Sequence, residues 1–223
     1  MRATIKSFVL RAGRISNRQQ QALDNYLKDY ELPKNTAWDL PKLFGRNAET
    51  VVEIGFGMGS SLLKMAEQQP EKNFIGIEVH RAGVGSLAAD LHDKSIGNVR
   101  IAQMDAVEVF KHNLVDESLA GVQIFFPDPW PKKKHHKRRL VQSEFVRCLL
   151  QRIKPGGFLH CATDWQDYAE HMQGVLAAEP QLVNSEACGG FSTRPTLRPV
   201  TKFEQRGERL GLGVWDLIYT KVC

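Results

Sequence analysis

The sequence predicts an α/β fold in which a mostly parallel β-sheet is covered by helices on both faces. Short apolar runs typical of strands alternate with segments whose apolar residues recur at helical spacing, and a glycine-rich turn follows the first strand. Such alternation is typical of βαβ units and therefore of parallel strands. The expected strands are Val51–Ile54, Phe74–Glu78, Val99–Gln103, Val122–Phe126 and Phe158–Ala162, and the expected helices include Ser60–Gln69, Ala82–Asp93 and Ser143–Ile153.

An extension is expected in front of this domain. Ser16 followed by Gln19 matches the capping box that starts a helix, and apolar residues then recur at helical spacing as far as Tyr30. We therefore divide the chain into a basic N-terminal arm with an amphipathic helix, residues 1–49, and a main domain, residues 50–223.

The alternation of predicted strands and helices does not continue through the last third of the chain. Val214–Lys221 is an aromatic-rich run typical of a strand, and a stretch rich in Gly and Arg, residues 206–213, separates it from Phe203. This pattern predicts a terminal antiparallel hairpin.

The positive charge is concentrated in two places. The 223 residues carry a formal net charge of +5, and eleven of the 30 Lys and Arg residues lie in residues 1–18 and 132–139, where there is no acid. The rest of the chain has 19 basic against 25 acidic residues. Two basic patches on an acidic body indicate a polyanionic partner.

Composition also excludes several classes of protein. No run approaches the roughly 18 apolar residues of a membrane span, and the N-terminus is polar and basic rather than signal-like, so we expect a soluble cytoplasmic protein. The cysteines are widely spaced and form no C-x-x-C pair, which indicates neither a disulfide framework nor a metal site. They are Cys148, Cys161, Cys188 and Cys223.

The glycine-rich turn has the spacing G-x-G-x-G, with Gly55, Gly57 and Gly59. Glycine lets the backbone turn sharply and lie close to a ligand. The spacing differs from the G-x-G-x-x-G that seats a dinucleotide pyrophosphate on a helix N-terminus, so a ligand without a pyrophosphate is favoured. A purely structural turn is the alternative.

Acidic residues accompany this turn at successive strands. Glu78 ends the second strand, where a carboxylate can bind a ribose diol, and Asp105 follows the third strand, where it can bind an adenine amino group or cap a helix. Glu53 lies inside the first strand, and because an unpaired buried carboxylate is costly, it must be paired or face a ligand.

A proline-rich corner follows the fourth strand. Pro127, Pro129 and Pro131 prevent a helix from continuing, and Asp128 and Trp130, which each precede a proline, are biased to extended conformations. The corner is expected to hold a carboxylate and an indole at the carboxyl edge of the sheet, where ligands bind in open α/β folds. For Trp130 alone, a role as a core plug is the alternative.

A basic run begins directly after this corner. Next to a ligand site we interpret it as a phosphate-binding segment, although such a run is more often a solvated face. The residues assigned to RNA are Lys134, His135, His136, Lys137, Arg138 and Arg139.

Several motifs together resemble the bacterial tRNA (guanine-N7)-methyltransferase family, which forms 7-methylguanosine 46 in the variable loop. They are Ser7-Phe8-Val9-Leu10-Arg11, VEIGFGMG, GIEVH, PDPWPKKKHHKRR and the TKFE segment, and they cover essentially the whole chain. The combination of PDPWPKK with a downstream TKFE is far more specific to this family than the glycine turn, which many proteins share.

The resemblance implies a class I methyltransferase fold with a seven-stranded sheet and an enzyme that uses S-adenosylmethionine. It assigns Glu53, Glu78, Asp105 and Asp128 to the cofactor site, with Asp128 catalytic. It assigns a role in binding the tRNA substrate to six residues: Lys132, Asp164, Thr201, Lys202, Phe203 and Glu204. From their pattern alone, Asp164 and the Thr201 segment would equally suit a helix cap or a turn.

Three other functions remain open at this stage. An amino methyltransferase has an Asp/Asn-Pro-Pro-aromatic tetrad, whereas here a single proline separates Asp128 from Trp130. A non-enzymatic RNA-binding protein and an NAD-dependent oxidoreductase are the others. We further expect a monomer or homodimer. If the N-terminal arm, residues 1–18, binds phosphate, its removal should weaken tRNA binding and spare cofactor affinity.

Overall fold

The computed structural model describes residues 6–9, 13–196, 198–200, 204 and 213–223, which form a sheet with helices packed on it. The strands are β1 (Thr50–Ile54), β2 (Asn73–Ile77), β3 (Val99–Ala102), β4 (Leu119–Phe125), β5 (Ile153–Thr163), β6 (Leu182–Asn184) and β7 (Trp215–Lys221). The helices are α1 (Asn17–Asn25), α2 (Leu40–Phe44), α3 (Ser60–Gln68), α4 (Arg81–Asp93), α5 (Ala106–His112), α6 (Ser143–Arg152) and α7 (Gln166–Ala177), with 3-10 helices at Leu27–Asp29 and Lys133–Arg138.

The seven strands follow the order β3-β2-β1-β4-β5-β7-β6. The first five run parallel, and β7 is antiparallel to both of its neighbours. The predicted α/β class and the mostly parallel sheet are therefore confirmed. The chain order reverses between β1 and β4, and a crevice for ligands forms at such a point beyond the carboxyl ends of the strands.

The antiparallel hairpin at the end of the chain uses β6 and β7. Leu182 lies opposite Lys221, and Asn184 lies opposite Tyr219. Phe203, near which the sequence suggested the partner strand, lies outside the described residues.

The core consists of two hydrophobic clusters, one on each face of the sheet. Along β1, Val52 and Ile54 belong to one cluster and Val51 to the other, as strand alternation requires. The second cluster includes Ala22 of α1, and α1 lies against α4. A Cβ on Gly85 of α4 would stand 2.7 Å from the carbonyl oxygen of Gln19, so this glycine allows the close approach.

The part of the chain before β1 contacts the rest of the fold in a second place. The backbone N–H of Leu32 donates to the carbonyl of Ile101 at the edge strand β3. The predicted capping box is confirmed: Gln19 N–H donates to Ser16 Oγ at 3.3 Å, and Ser16 N–H donates to Gln19 Oε1 at 2.8 Å. Over the described residues, none of the helices has the length and apolar character needed to cross a membrane.

Candidate active site

A pocket opens at the carboxyl edge of the sheet, beside the reversal between β1 and β4. Gly55, Glu78, Asp105 and Asp128, which follow the first four strands, all line it. The topology therefore brings together four residues that the sequence placed at separate strand ends. Further walls come from Phe125 and Phe126, and from Ser7 and Phe8 of the N-terminal arm.

The glycine turn requires its glycines. Gly55, Gly57 and Gly59 have φ angles of +74°, +58° and +85°, which L-residues with a Cβ rarely adopt. Helix α4 also approaches closely, because a Cβ on Gly83 would stand 2.1 Å from the carbonyl oxygen of Gly57. Of these glycines, Gly55 lines the pocket, and because it has no Cβ its backbone is open to a ligand there.

The carboxylate of Glu78 holds this turn in place. It accepts hydrogen bonds from the backbone N–H groups of Gly57 at 2.9 Å, Val79 at 2.7 Å and His80 at 3.0 Å. Carboxylate oxygens have more than one acceptor position each, so Glu78 retains capacity for a ligand hydroxyl. Its orientation is fixed before any ligand binds.

Asp105 has the helix-capping role that the sequence left as an alternative, and it also lines the pocket. Its Oδ1 accepts from the N–H of Val107 at 3.1 Å in the first turn of α5. Its Oδ2 lies 3.9 Å from Lys6 Nζ of the arm. The two interpretations of Asp105 are thus compatible.

Glu53 is buried, and one of its carboxylate oxygens lacks a partner in the described part of the chain. Its side chain is 2% exposed, and Oε2 has no hydrogen-bond partner among the described residues. Burial, and secondarily the negative charge of Glu78, raise the pKa of Glu53 to about 8. Gln123 lies opposite Glu53 on β4, and its Oε1 likewise lacks a partner in the described part of the chain.

The proline-rich corner differs from the prediction at Trp130. Its φ is +46°, so the expected extended conformation was wrong for this residue. The half-buried indole donates from Nε1 to the carbonyl of Ser7 at 3.0 Å, and the Arg138 guanidinium carbon lies 3.7 Å from its ring centroid. These long-range contacts outweigh the local preference of a residue before proline. Asp128 is exposed at the pocket rim.

The N-terminal arm lies across the pocket. The Arg138 guanidinium donates to the carbonyls of Lys6 and Phe8, both at 3.1 Å, and Trp130 holds Ser7 between them. Ser7 and Phe8 therefore form part of the same wall as the strand-end acids. This position is at odds with the expectation that removal of the arm spares cofactor affinity.

The basic run forms the 3-10 helix Lys133–Arg138 beside the pocket. Its lysines and Lys132 are exposed, while His135 and His136 are partly buried. Desolvation and then the neighbouring lysine and arginine charges lower the pKa of His135. The helix thus presents a set of lysine ammonium groups next to the candidate site.

Arg139 does not share that surface, and the expectation that it binds RNA is not supported by its position. It is 3% exposed, and its guanidinium donates to the carbonyl of Pro129, pairs with Asp167 and lies over the ring of Tyr168 at 4.8 Å. Arg139 fastens the end of the basic run to α7.

The remaining substrate residues are placed only in part. Asp164 is half-buried just after β5, the strand next to β4. Both carboxylate oxygens of Glu204 are buried against Arg198. Thr201, Lys202 and Phe203 lie outside the described residues. Within the described ranges, there is no group of three His, Cys, Asp or Glu residues that could hold a metal ion.

Comparison with known proteins decides the family. A family model described as a putative methyltransferase matches residues 47–217. A tRNA (guanine-N(7)-)-methyltransferase of Legionella pneumophila strain Paris is 62% identical over 224 residues, which cover 99% of this chain and 94% of that one. The chain belongs to this methyltransferase family. A further relative with the same name, from Paraburkholderia xenovorans strain LB400, is 51% identical and covers 99% of this chain and 84% of its own.

Solved structures support the methyltransferase fold of this family member. The 16S rRNA methyltransferase KamB superposes with a TM-score of 0.58 at 15% sequence identity, over 96% of this chain and 97% of that one. At this identity the similarity concerns the fold alone. It agrees with the seven-stranded sheet that the family resemblance implied.

Sequence reasoning missed three groups of residues in this methyltransferase. Ser7 and Phe8 line the pocket, although only their membership in a motif marked them beforehand. Arg198 and its buried partner Asp216 carried no signal, because their contact joins residues that follow no local pattern. The alternation in β4 would have shown Gln123 as a polar residue on the same face as Glu53.

Proposed function

We propose that this protein uses S-adenosylmethionine to methylate N7 of guanosine 46 in the variable loop of tRNA, in the cytoplasm. The observation that carries the proposal is a single pocket bordered by acids after successive parallel strands and flanked by a basic 3-10 helix. The acids suit a cationic cofactor, and the basic helix suits RNA phosphates. The relatives, at up to 62% identity, are named tRNA (guanine-N(7)-)-methyltransferases, which agrees with a methyl transfer and with an RNA substrate.

The residues of the pocket fit this cofactor. Glu78 retains acceptor positions for a ribose diol. Glu53 precedes the pocket residues Ile54 and Gly55 without lining the pocket itself, and its Oε2, which has no hydrogen-bond partner among the described residues, is an acceptor for an ammonium group. Asp105 lines the pocket after β3, where it suits an adenine amino group. The glycine turn leaves room for close backbone contact.

The chemistry demands positioning more than proton transfer. When bound, S-adenosylmethionine supplies a methyl group on a positively charged sulfur. Guanine N7 has an in-plane lone pair and no proton, so no general base is needed to create the nucleophile. Alignment of two reactants in near-attack geometry lowers a barrier by roughly 7–11 kcal/mol, and the pocket walls serve that purpose.

Asp128 is the proposed catalytic residue. It stands at the pocket rim, where its carboxylate favours the positive charge that develops on the purine. A carboxylate about 4 Å from a unit charge contributes about 4 kcal/mol at an effective dielectric constant of 20. Because it also stabilises the cationic cofactor in the ground state, only the difference between the two states accelerates the reaction.

The RNA is proposed to bind along the exposed basic helix. Lys132, Lys134, His135, His136 and Lys137 are available for phosphates, whereas Arg138 is engaged with Trp130 and the arm. Asp164 and the segment Thr201–Glu204 are proposed to contact the target nucleotide, which must be unstacked to align N7 with the methyl donor.

The test combines a substrate change with a variant. Labelled S-adenosylmethionine is incubated with tRNA transcripts carrying guanosine or adenosine at position 46, and nucleosides are identified by mass spectrometry. We expect 7-methylguanosine only from the guanosine transcript. A methyl group on an exocyclic amine would indicate an amino methyltransferase, and tight tRNA binding without transfer would indicate a non-enzymatic RNA-binding protein.

The variant D128N should lower kcat by about 10- to 100-fold, the effect of removing one charge that stabilises the transition state. D116N is the matched control, because Asp116 pairs with Arg152 in front of β4, at the opposite edge of the sheet. Full turnover by D128N with both substrates bound would refute the catalytic role.

A further inference from the structure

Two buried acceptor oxygens lie on neighbouring strands in the middle of the sheet. Glu53 of β1 and Gln123 of β4 are Cα partners in the parallel pairing, and the two residues are 2% and 9% exposed. Paired residues on neighbouring strands project from the same face of the sheet, and such strands are about 4.8 Å apart. Neither Glu53 Oε2 nor Gln123 Oε1 has a hydrogen-bond partner among the described residues. The two acceptors therefore share a need for a donor.

The strands on either side do not meet this need. On β2, the partner of Glu53 is Gly76, which has no side chain. On β5, the partner of Gln123 is His160, whose Nε2 lies 2.7 Å from Asp216 Oδ1. Buried polar groups in proteins are nearly always hydrogen-bonded, and an exception calls for an explanation. We take the two unpaired oxygens as a sign that a bound molecule supplies the donor.

The pair lies directly beneath the pocket. Gly55 and Phe125 line the pocket, and they stand two residues nearer the carboxyl edge of the sheet than Glu53 and Gln123, respectively. Because positions two residues apart on a strand share a face, the pair forms the layer under these walls. A Cβ built on Gly55 would meet no heavy atom within 4 Å, so the space beside this end of β1 is open to a ligand.

The surroundings of the pair favour a positive charge. The carboxylate of Glu78 lines the pocket, and burial, with this negative charge as the second cause, raises the pKa of Glu53 to about 8. Near neutral pH the Glu53 carboxyl of the cofactor-free protein therefore holds a proton. A cation that donates hydrogen bonds can take the place of this proton and satisfy both oxygens, because such charge-assisted bonds are the stronger ones.

S-adenosylmethionine, the proposed cofactor, has two positive groups, and only one of them suits the pair. Its sulfonium sulfur carries no hydrogen, whereas its primary ammonium has three N–H donors, like the side chain of a lysine. Two of these donors match Glu53 Oε2 and Gln123 Oε1. The chemistry of the two oxygens therefore selects the amino-acid end of the cofactor.

We propose that Gln123 is a cofactor-binding residue, which together with Glu53 accepts hydrogen bonds from the ammonium group of S-adenosylmethionine. This inference rests on the proposed function and adds to the cofactor site a residue other than the acids at the strand ends. Strand β4 leads from Gln123 into the corner that holds Asp128. The contact thus fixes the methionine portion, which carries the methyl group, on the strand that leads to the proposed catalytic residue.

The experiment compares two ligands that differ only in the amino group. They are S-adenosylhomocysteine and its deamino analogue, in which hydrogen replaces the amine, and calorimetry gives both dissociation constants without RNA or turnover. In the variant Q123M, methionine keeps nearly the length of glutamine, but its thioether is a weak acceptor. Q123M should weaken S-adenosylhomocysteine binding by about 10- to 100-fold, the range for one hydrogen bond to a charged group, and binding of the analogue by less than about 2-fold.

The variants E53Q and E53Q/Q123M test whether both residues bind the same group. The wild type should prefer S-adenosylhomocysteine to the deamino analogue. E53Q should lose part of this preference, and the double variant should lose nearly all of it, because both acceptors of the ammonium are then changed. A double variant that keeps the wild-type preference would show that the ammonium binds elsewhere and would overturn the inference.

The matched control is N73M. Asn73 is also a buried strand amide, 1% exposed, and its Nδ2 has no partner among the described residues, but it lies at the amino end of β2, away from the pocket. N73M should lower the melting temperature, because Asn73 Oδ1 accepts from Arg46 Nε at 2.7 Å. It should leave the preference between the two ligands unchanged.

Equal losses for both ligands in Q123M, the result expected of a purely structural role or of a bridging water, would overturn the inference, as would unchanged affinity for S-adenosylhomocysteine. If Q123M does not fold, Q123N is tested in the same way. It keeps the amide but withdraws it by one methylene, so it must give the same selective loss, and wild-type behaviour would overturn the inference. Failure of the wild type to bind S-adenosylhomocysteine would instead refute the proposed cofactor itself.

Discussion

Replacing Glu53 by Gln should stabilise the cofactor-free protein at neutral pH. In the unfolded chain this carboxyl ionises near pH 4.5, whereas in the folded protein its pKa is about 8. Between these values the folded state holds a proton that the unfolded state has released, so stability falls as pH rises. Each pH unit contributes roughly 1.4 kcal/mol, which gives a penalty of about 3 kcal/mol at pH 7 and none below about pH 4.5.

The variant E53Q removes this titration. Its melting temperature at pH 7 should rise by about 2–4 °C for each kcal/mol recovered, and its stability should depend less on pH between 5 and 8 than that of the wild type. Denaturant unfolding at pH 5, 7 and 8.5 measures both effects. A wild-type pH dependence in E53Q, or lower stability at pH 7, would refute the reasoning.

The control is E179Q. Glu179 is also buried, but it accepts hydrogen bonds from Arg147 at 3.0 and 3.2 Å. Removing its charge should destabilise the protein, because a satisfied pair is broken. If the free energy of unfolding rises in E53Q and falls in E179Q, the two changes distinguish an unpaired buried carboxyl from a paired one.

Cofactor binding to the wild type at pH 7 should also release nearly one proton. Calorimetry would show this as a binding enthalpy that depends on the buffer, and E53Q should lack that dependence.

Three further predictions concern the pocket and its surroundings. W130A should weaken cofactor affinity by about 5- to 50-fold in calorimetry, since the arm loses a hydrogen bond and the stacking of Arg138, each worth about 1 kcal/mol; unchanged affinity would argue against the arm as a wall. K133A/K134A should reduce the slope of log K for tRNA against log salt by about 1.4 to 1.8, and an unaltered slope would place these lysines away from phosphate. G83A should lower cofactor affinity and melting temperature together, because its Cβ would stand 2.1 Å from the Gly57 carbonyl oxygen; if neither changes, the close approach of α4 is not needed.

Local signals explain what the sequence predicted well. The capping box of Ser16 and Gln19 depends on residues three apart, and the confirmed strands depend on short apolar runs. The meeting of Gly55, Glu78 and Asp105 at one pocket follows from parallel topology, since successive strands end at the same edge. No knowledge of side-chain packing was needed for these features.

Long-range contacts explain what the sequence did not reveal. Trp130 was expected to be extended because of the proline after it, but bonds to Ser7 and Arg138 hold it at positive φ. In the sequence Arg139 resembles its basic neighbours, but in the structure it is buried and pairs with Asp167, 28 residues later. In both cases the deciding partner is distant in sequence, where pattern rules give no information.

The contact between the arm and the proline-rich corner has a consequence for the folding of the protein during its synthesis. Trp130 and Ser7 are 123 residues apart, and Arg138 and Lys6 are 132 apart. At about 5–20 residues per second, the ribosome needs roughly 6–25 seconds to produce the partner of the arm after the arm itself. The wall formed by Ser7 and Phe8 can therefore be added only after β1 to β4 have been synthesised.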